Sequence, residues 1–153
     1  MRTGVRLAVD VGSVRIGLAR SDASGLLAVP LEAVRAGDTA WDEVARIAAE
    51  WDALEIYVGL PRHMDGREGD AAERARAWAA LLAERVSAPV RLLDERLSTV
   101  QAQRALREAG RTTRQSRSVI DSASAVMVLQ SALDAEAATG REPGGPIDEE
   151  AGS

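Results

Sequence analysis

Residues 5–19 read Val-Arg-Leu-Ala-Val-Asp-Val-Gly-Ser-Val-Arg-Ile-Gly-Leu-Ala, and this stretch decides the fold. Val5 to Val11 is β-branched and almost continuously apolar, the pattern of a strand buried on both faces. Gly12 and Ser13 punctuate it. Ile16 to Ala19 resumes as a second strand, and Leu26 to Val34 reads as a third, with Ser21-Asp22-Ala23-Ser24-Gly25 as the turn between them. Connections this short cannot be crossovers, so the three strands form an antiparallel meander.

Beyond the meander the pattern alternates. Asp38 to Trp51 has helical spacing, with Asp38 or Thr39 available as a cap. Leu54 to Leu60 is a fourth strand, residues 61–69 form a loop rich in turn formers, and Asp70 to Val86 is a long amphipathic helix. Val90 to Leu93 is a short fifth strand. Ser98 to Ala109 is a helix stopped by Gly110. Residues 111–117 contain no apolar residue and read as a mobile loop, and Val119 to Ala138 is the last helix. The expected fold is α/β: a mixed five-stranded sheet, three antiparallel strands followed by parallel ones, with helices on both faces. Residues 1–139 form a single domain. Gly140 to Ser153, with two Pro and four Gly, reads as a disordered acidic tail.

The composition is that of a globular protein. Of 153 residues 46% are hydrophobic and 28% charged, which excludes disorder of the whole chain. No apolar run of the length that spans a bilayer occurs, so no membrane association is expected. Cysteine is absent, which removes disulfides and thiolate metal sites and makes a reducing cytoplasm the default location. The net charge is -5, and its distribution is informative. All 19 basic residues are Arg, a bias that codon usage in a GC-rich genome explains. Residues 96–117 carry six Arg against the single acid Glu108, a net charge of +5 inside an acidic protein. Such a patch suits a phosphate-backbone partner, and equally a solvated helix face.

Three acids stand out. Asp10 lies inside an apolar strand, where a carboxylate needs a pairing partner, a capping role or a metal. Asp94 and Glu95 follow the fifth strand and should point opposite ways. Glu95 lies at a strand carboxyl end, where ligands gather in α/β sheets. Asp121 opens the last helix on a row with Ala125, Val128 and Ala132. Singly, each has a bland account: turn capping by Asp10, an ion pair beside Arg96, and favourable helix-dipole placement of Asp121. Converging, three carboxylates repel unless cations neutralise them. Oxygen ligands suit Mg²⁺ or Mn²⁺, and carboxylate-bound metals are a standard device for phosphodiester hydrolysis.

Four blocks carry a family resemblance: Ala8 to Gly17 with Ser21-Asp22; Val58-Gly59-Leu60-Pro61 with Met64-Asp65-Gly66; Asp94 to Thr99; and Ile120-Asp121 with Ala125 and Leu129-Gln130. In this order and at these intervals they resemble the YqgF family, also called RuvX-like. These RNase H-fold proteins are assigned to pre-16S ribosomal RNA maturation or to Holliday-junction resolution. The resemblance runs from about Arg6 to Asp134. It implies an RNase H-like fold and a catalytic, metal-binding trio of Asp10, Glu95 and Asp121 holding Mg²⁺ or Mn²⁺. Beside these carboxylates, contacts to nucleic acid are expected from Arg15, Arg96, Ser98, Thr99, Arg114 and Arg117. Ser98-Thr99 replaces the two Thr frequent in relatives and keeps a hydroxyl. His63, where Asn is common, reads as an exposed loop residue.

The expected activity is therefore metal-dependent hydrolysis of structured nucleic acid, foremost pre-16S ribosomal RNA in ribosome biogenesis, with ribosome-assembly partners. A nuclease resolving branched DNA is the close variant, and its substrate symmetry would favour a homodimer over a monomer. A non-catalytic nucleic-acid-binding module in ribosome assembly or transcription is a separate alternative. An ATP-dependent phosphotransferase sharing the Asp-x-Gly-Ser turn is disfavoured, because the chain is too short for the two domains that class needs.

Overall fold

The computed structural model describes residues 2–63, 65–95 and 121–147. The meander is present as β1 (Arg6–Val11), β2 (Arg15–Ser21) and β3 (Ala28–Arg35). α1 (Ala40–Glu50), β4 (Glu55–Leu60), α2 (Asp70–Ala83), β5 (Val90–Asp94) and α3 (Ala123–Thr139) follow. β1 pairs antiparallel with β2 and β2 with β3, whereas β1–β4 and β4–β5 are parallel. The expected helix at 98–109 and loop at 111–117 lie outside the described residues.

Strand alternation divides the core into two layers. Leu7, Val9, Ile16, Leu18, Ile56, Val58 and Leu92 face α1 and α2, meeting Val44, Trp78 and Leu82. Ala8, Ala19, Tyr57 and Leu93 face α3, meeting Ala125, Val126, Leu129 and Ala132. The α3 side of β1 and β2 is lined by alanines, which lets the helix approach the sheet closely. The other side carries larger aliphatics and takes two helices.

Two expectations need correction. The sheet has a sixth strand among the described residues, β6 (Gly145–Pro146), antiparallel to β5 at the edge. The tail read as disordered from Gly140 is thus ordered over residues 140–147. Arg91 holds it, donating from Nε to the Pro143 carbonyl at 2.7 Å and from Nη2 to the Gly144 carbonyl at 2.8 Å. Gly144 adopts φ +78°, and a Cβ there would lie 2.4 Å from the Leu92 carbonyl oxygen. The glycine that looked like a flexibility signal is what allows this close pairing. Ile147 packs on the core, the one apolar cue in the segment.

The end of the sheet where β1 and β4 begin is closed by buried charge. Arg6 is fully buried and its Nη2 lies 3.0 Å from Glu136 Oε2. Arg2 bridges Glu136 at 2.6 Å and Glu55 at 2.9 Å, and the Tyr57 hydroxyl donates to Glu55 at 2.6 Å. Burial would raise the Glu136 carboxyl, but hydrogen bonds from Arg2 and the charges of Arg2 and Arg6 outweigh it and hold the group at about 2. This cluster ties the amino-terminal residues to α3, and so fixes the helix that carries one wall of the site at the opposite end.

Candidate active site

At the other end, the parallel strands β1, β4 and β5 present their carboxyl termini. Asp10 is the penultimate residue of β1 and lies opposite Gly17 of β2 in the register. On its other side Val9 pairs with Val58, which puts Gly59 on the next rung of β4. Asp10 therefore stands between two glycines, on the α3 side of the sheet with Ala8.

Both glycines make room. A Cβ on Gly59 would lie 2.5 Å from Glu95 Oε1 and 3.1 Å from Val128 Cγ2. A Cβ on Gly17 would lie 2.7 Å from the Asp121 carbonyl oxygen, 3.2 Å from the Ser122 Cα and 3.6 Å from the Asp10 Cβ. Glycine in a strand interior often marks such close approach. Both residues belong to the sequence blocks of the family resemblance, and no local pattern marks what approaches them.

Glu95 directly follows β5, and its carboxyl group shares a hydrogen bond with Asp10. Asp94 turns the opposite way, as strand alternation requires, and lies 3.9 Å from Arg62, which also binds Glu68 at 3.1 Å. Burial, then the Asp10 charge and the shared hydrogen bond, then the Asp94 charge push the Glu95 carboxyl up to about 7. Its Oε1 is buried and has no hydrogen-bond partner. Two carboxyl groups in contact, one with an unpartnered buried oxygen, fit a hard divalent cation by donor chemistry and by charge.

Asp121 is placed differently from expectation. It lies in a turn before α3, whose N-cap is Ser122, and its side chain is 37% exposed rather than packed on a small apolar row. Its backbone reaches the Asp10 rung, but its carboxylate turns to Arg15, with Oδ2 3.0 Å from Nε. Among the described residues no group of three acidic, His or Cys side chains is gathered closely enough to hold a metal together. The structure thus brings Asp10 and Glu95 into contact, sets the Asp121 backbone beside them, and pairs the Asp121 carboxylate with Arg15.

Ser122 holds this turn in place. Its Oγ accepts from the Leu18 amide at 3.0 Å and donates to the Leu31 carbonyl at 2.7 Å, joining α3 to β2 and β3. In the sequence, Ser122 is marked only as a small hydroxyl residue beside Asp121, as a cap would be. His63 is exposed, as expected of a loop residue. Arg96, Ser98, Thr99, Arg114 and Arg117 lie outside the described residues. None of the described helices is long and apolar enough to cross a membrane.

Known proteins extend this picture. A protein of Nocardioides sp. (strain ATCC BAA-499 / JS614), named "Putative pre-16S rRNA nuclease", is 52% identical over 97% of this chain and 99% of its own length. A Thermobifida fusca (strain YX) protein of the same name is 50% identical, over 94% of this chain and 96% of its own. Among solved structures, T. thermophilus RuvC in complex with Holliday junction substrate superposes with a TM-score of 0.60. It covers 92% of this chain and 99% of that one at 16% identity, a likeness of fold. With residues 4–135 matching the family model described as "RuvX: Holliday junction resolvase", the chain belongs to the RuvX family and has the RNase H-like fold that its sequence resemblance implied.

Proposed function

We propose that this protein is a metal-dependent nuclease that hydrolyses phosphodiester bonds in structured RNA, with pre-16S ribosomal RNA as its substrate. One observation carries the chemistry: the Asp10–Glu95 carboxyl contact, with Glu95 Oε1 buried and unpartnered at the carboxyl ends of the parallel strands. The names of the relatives at about 50% identity support the RNA assignment. The family description as a junction resolvase supports branched DNA as the second reading.

A divalent cation, Mg²⁺ or Mn²⁺, held by Asp10 and Glu95 would supply Lewis-acid polarisation of the phosphate and a water acidic enough to attack it. The protein's own residues do the remainder. Gly17 and Gly59 let both carboxylates lie against the sheet, so the site is built on rigid strands. Asp10 stays in place through β1, while Glu95 ionises fully once positive charge arrives beside it. The Arg15–Asp121 pair is exposed on both sides, so its net worth is at most about 1 kcal/mol. Asp121 would join Asp10 and Glu95 in holding the cation at little cost, and Arg15 would then hold a substrate phosphate. Arg96, Arg114 and Arg117, with the hydroxyls of Ser98 and Thr99, extend phosphate binding along the basic stretch.

The test is cleavage of a precursor 16S ribosomal RNA fragment and a four-way DNA junction, side by side, in Mn²⁺ and in EDTA, by wild type and Asp10→Asn from matched preparations. Mn²⁺-dependent cutting of the RNA that the variant lacks is expected. Preferential cutting of the junction would move the assignment to the second reading. Equal residual cutting by both proteins would refute the nuclease.

A further inference from the structure

α3 packs mainly over β1, β2, β3 and β4, and Leu93 of β5 joins the same apolar layer. A cavity of about 130 Å³ opens between the carboxyl end of β5 and the first half of α3. Leu93, Met127 and Val128 line it with apolar surface, and Ser124, Ser131, Asp94 and Glu95 complete the lining. Ser124, Met127, Val128 and Ser131 recur at the spacing of one helix face. Small serines at both ends of that face keep the cleft open, where bulkier side chains would close it. Ser124 is exposed at the mouth and Ser131 is buried within.

We propose that this cavity receives a single unpaired nucleobase of the substrate, the base of a nucleotide whose phosphate lies at Asp10 and Glu95. The inference rests on the nuclease reading, which supplies that phosphate. Glu95 is common to the carboxyl pair and to the cavity, so the two are continuous. The cavity's volume of about 130 Å³ is on the scale of a single heterocyclic base. Its apolar lining offers what a π-face requires, including the polarisable Met127 side chain. The hydroxyls of Ser124 and Ser131 can donate to or accept from the polar edge of a base. Structured RNA is read mainly where unpaired bases are splayed out. Such a cavity would direct cutting to unpaired positions.

The test uses protein labelled with ¹³C at the methionine methyls, with the Met127 signal assigned by its loss in Met127→Leu. Cytidine 5′-monophosphate, adenosine 5′-monophosphate and ribose 5-phosphate are titrated in Mg²⁺. The expected result is a ring-current shift of the Met127 methyl with the two nucleotides, saturating at millimolar concentration, and none with ribose 5-phosphate. Ser124→Phe, which fills the exposed mouth without touching the core, should weaken nucleotide binding at least tenfold. No Met127 shift with either nucleotide, equal shifts with ribose 5-phosphate, or unchanged binding by Ser124→Phe would overturn the proposal. Because the readout is binding, a protein that passes it and fails the cleavage test would retain the base site and lose the nuclease assignment.

Discussion

Gly59 and Glu95 are interlocked: a Cβ on Gly59 would fall 2.5 Å from the Glu95 Oε1, nearer than any real contact. The methyl group of Gly59→Ala must therefore displace the carboxylate, since Val128 Cγ2 at 3.1 Å closes the alternative. The expected outcome is loss of at least tenfold in cleavage rate with a stability cost of about 1–2 kcal/mol, because only one strand position is perturbed. Denaturant titration and initial rates on the same preparation check both numbers.

Glu95 sits in a site that opposes its charge. Its carboxyl is raised from 4.5 to about 7, so the stability tied to its protonated form is complete below pH 4.5 and is lost as pH rises through 7. Without divalent ions, the thermal midpoint should therefore fall between pH 5 and pH 8. Glu95→Gln removes the burdened charge, so in EDTA at pH 8 the variant should melt above wild type, while its cleavage in Mn²⁺ should drop by at least a hundredfold. Thermal melts at the two pH values, paired with the cleavage assay, separate the effects.

Much of this arrangement is legible in the sequence. The meander and parallel strands followed from apolar periodicity, and Asp10 stood out because a carboxylate in a buried strand demands a partner. The opposite directions of Asp94 and Glu95 followed from alternation alone. Asp121 did not follow: its placement depends on where α3 begins, and Ser122, bonded to Leu18 and Leu31, sets that start. A hydroxyl that joins residues about a hundred positions apart leaves no local pattern. β6 escaped for a similar reason, since its pairing rests on Arg91 reaching the Pro143 and Gly144 carbonyls.

Arg15 and Asp121 make a solvent-exposed pair. Arg15→Ala should change stability by less than about 0.5 kcal/mol. It should reduce the slope of log affinity for RNA against log salt by about one, as loss of one phosphate contact requires. The double variant Arg114→Ala, Arg117→Ala should reduce it by about two. Filter binding across a salt series gives the slopes, and unchanged slopes would remove these residues from the substrate interface.

The buried cluster at the far end sets the acid limit of the fold. The Glu136 carboxyl is held at about 2 against an ordinary 4.5, which corresponds to about 3 kcal/mol of stability at neutral pH. The shift is downward, so that contribution is present above pH 4.5 and disappears as pH falls towards 2. Glu136→Gln leaves the fully buried Arg6 without its counter-charge and should destabilise by about 3 kcal/mol at pH 7. Its deficit against wild type should shrink steadily below pH 4.5. Urea midpoints from pH 7 to pH 3 test the trend.

The most direct test of the central claim is Mn²⁺ binding measured by electron paramagnetic resonance, comparing wild type, Asp10→Asn and Glu95→Gln, each shown by circular dichroism to be folded. If Asp10 and Glu95 form the cation site, wild type binds Mn²⁺ and each substitution weakens it at least tenfold. Equal Mn²⁺ binding by all three folded proteins would contradict the assignment.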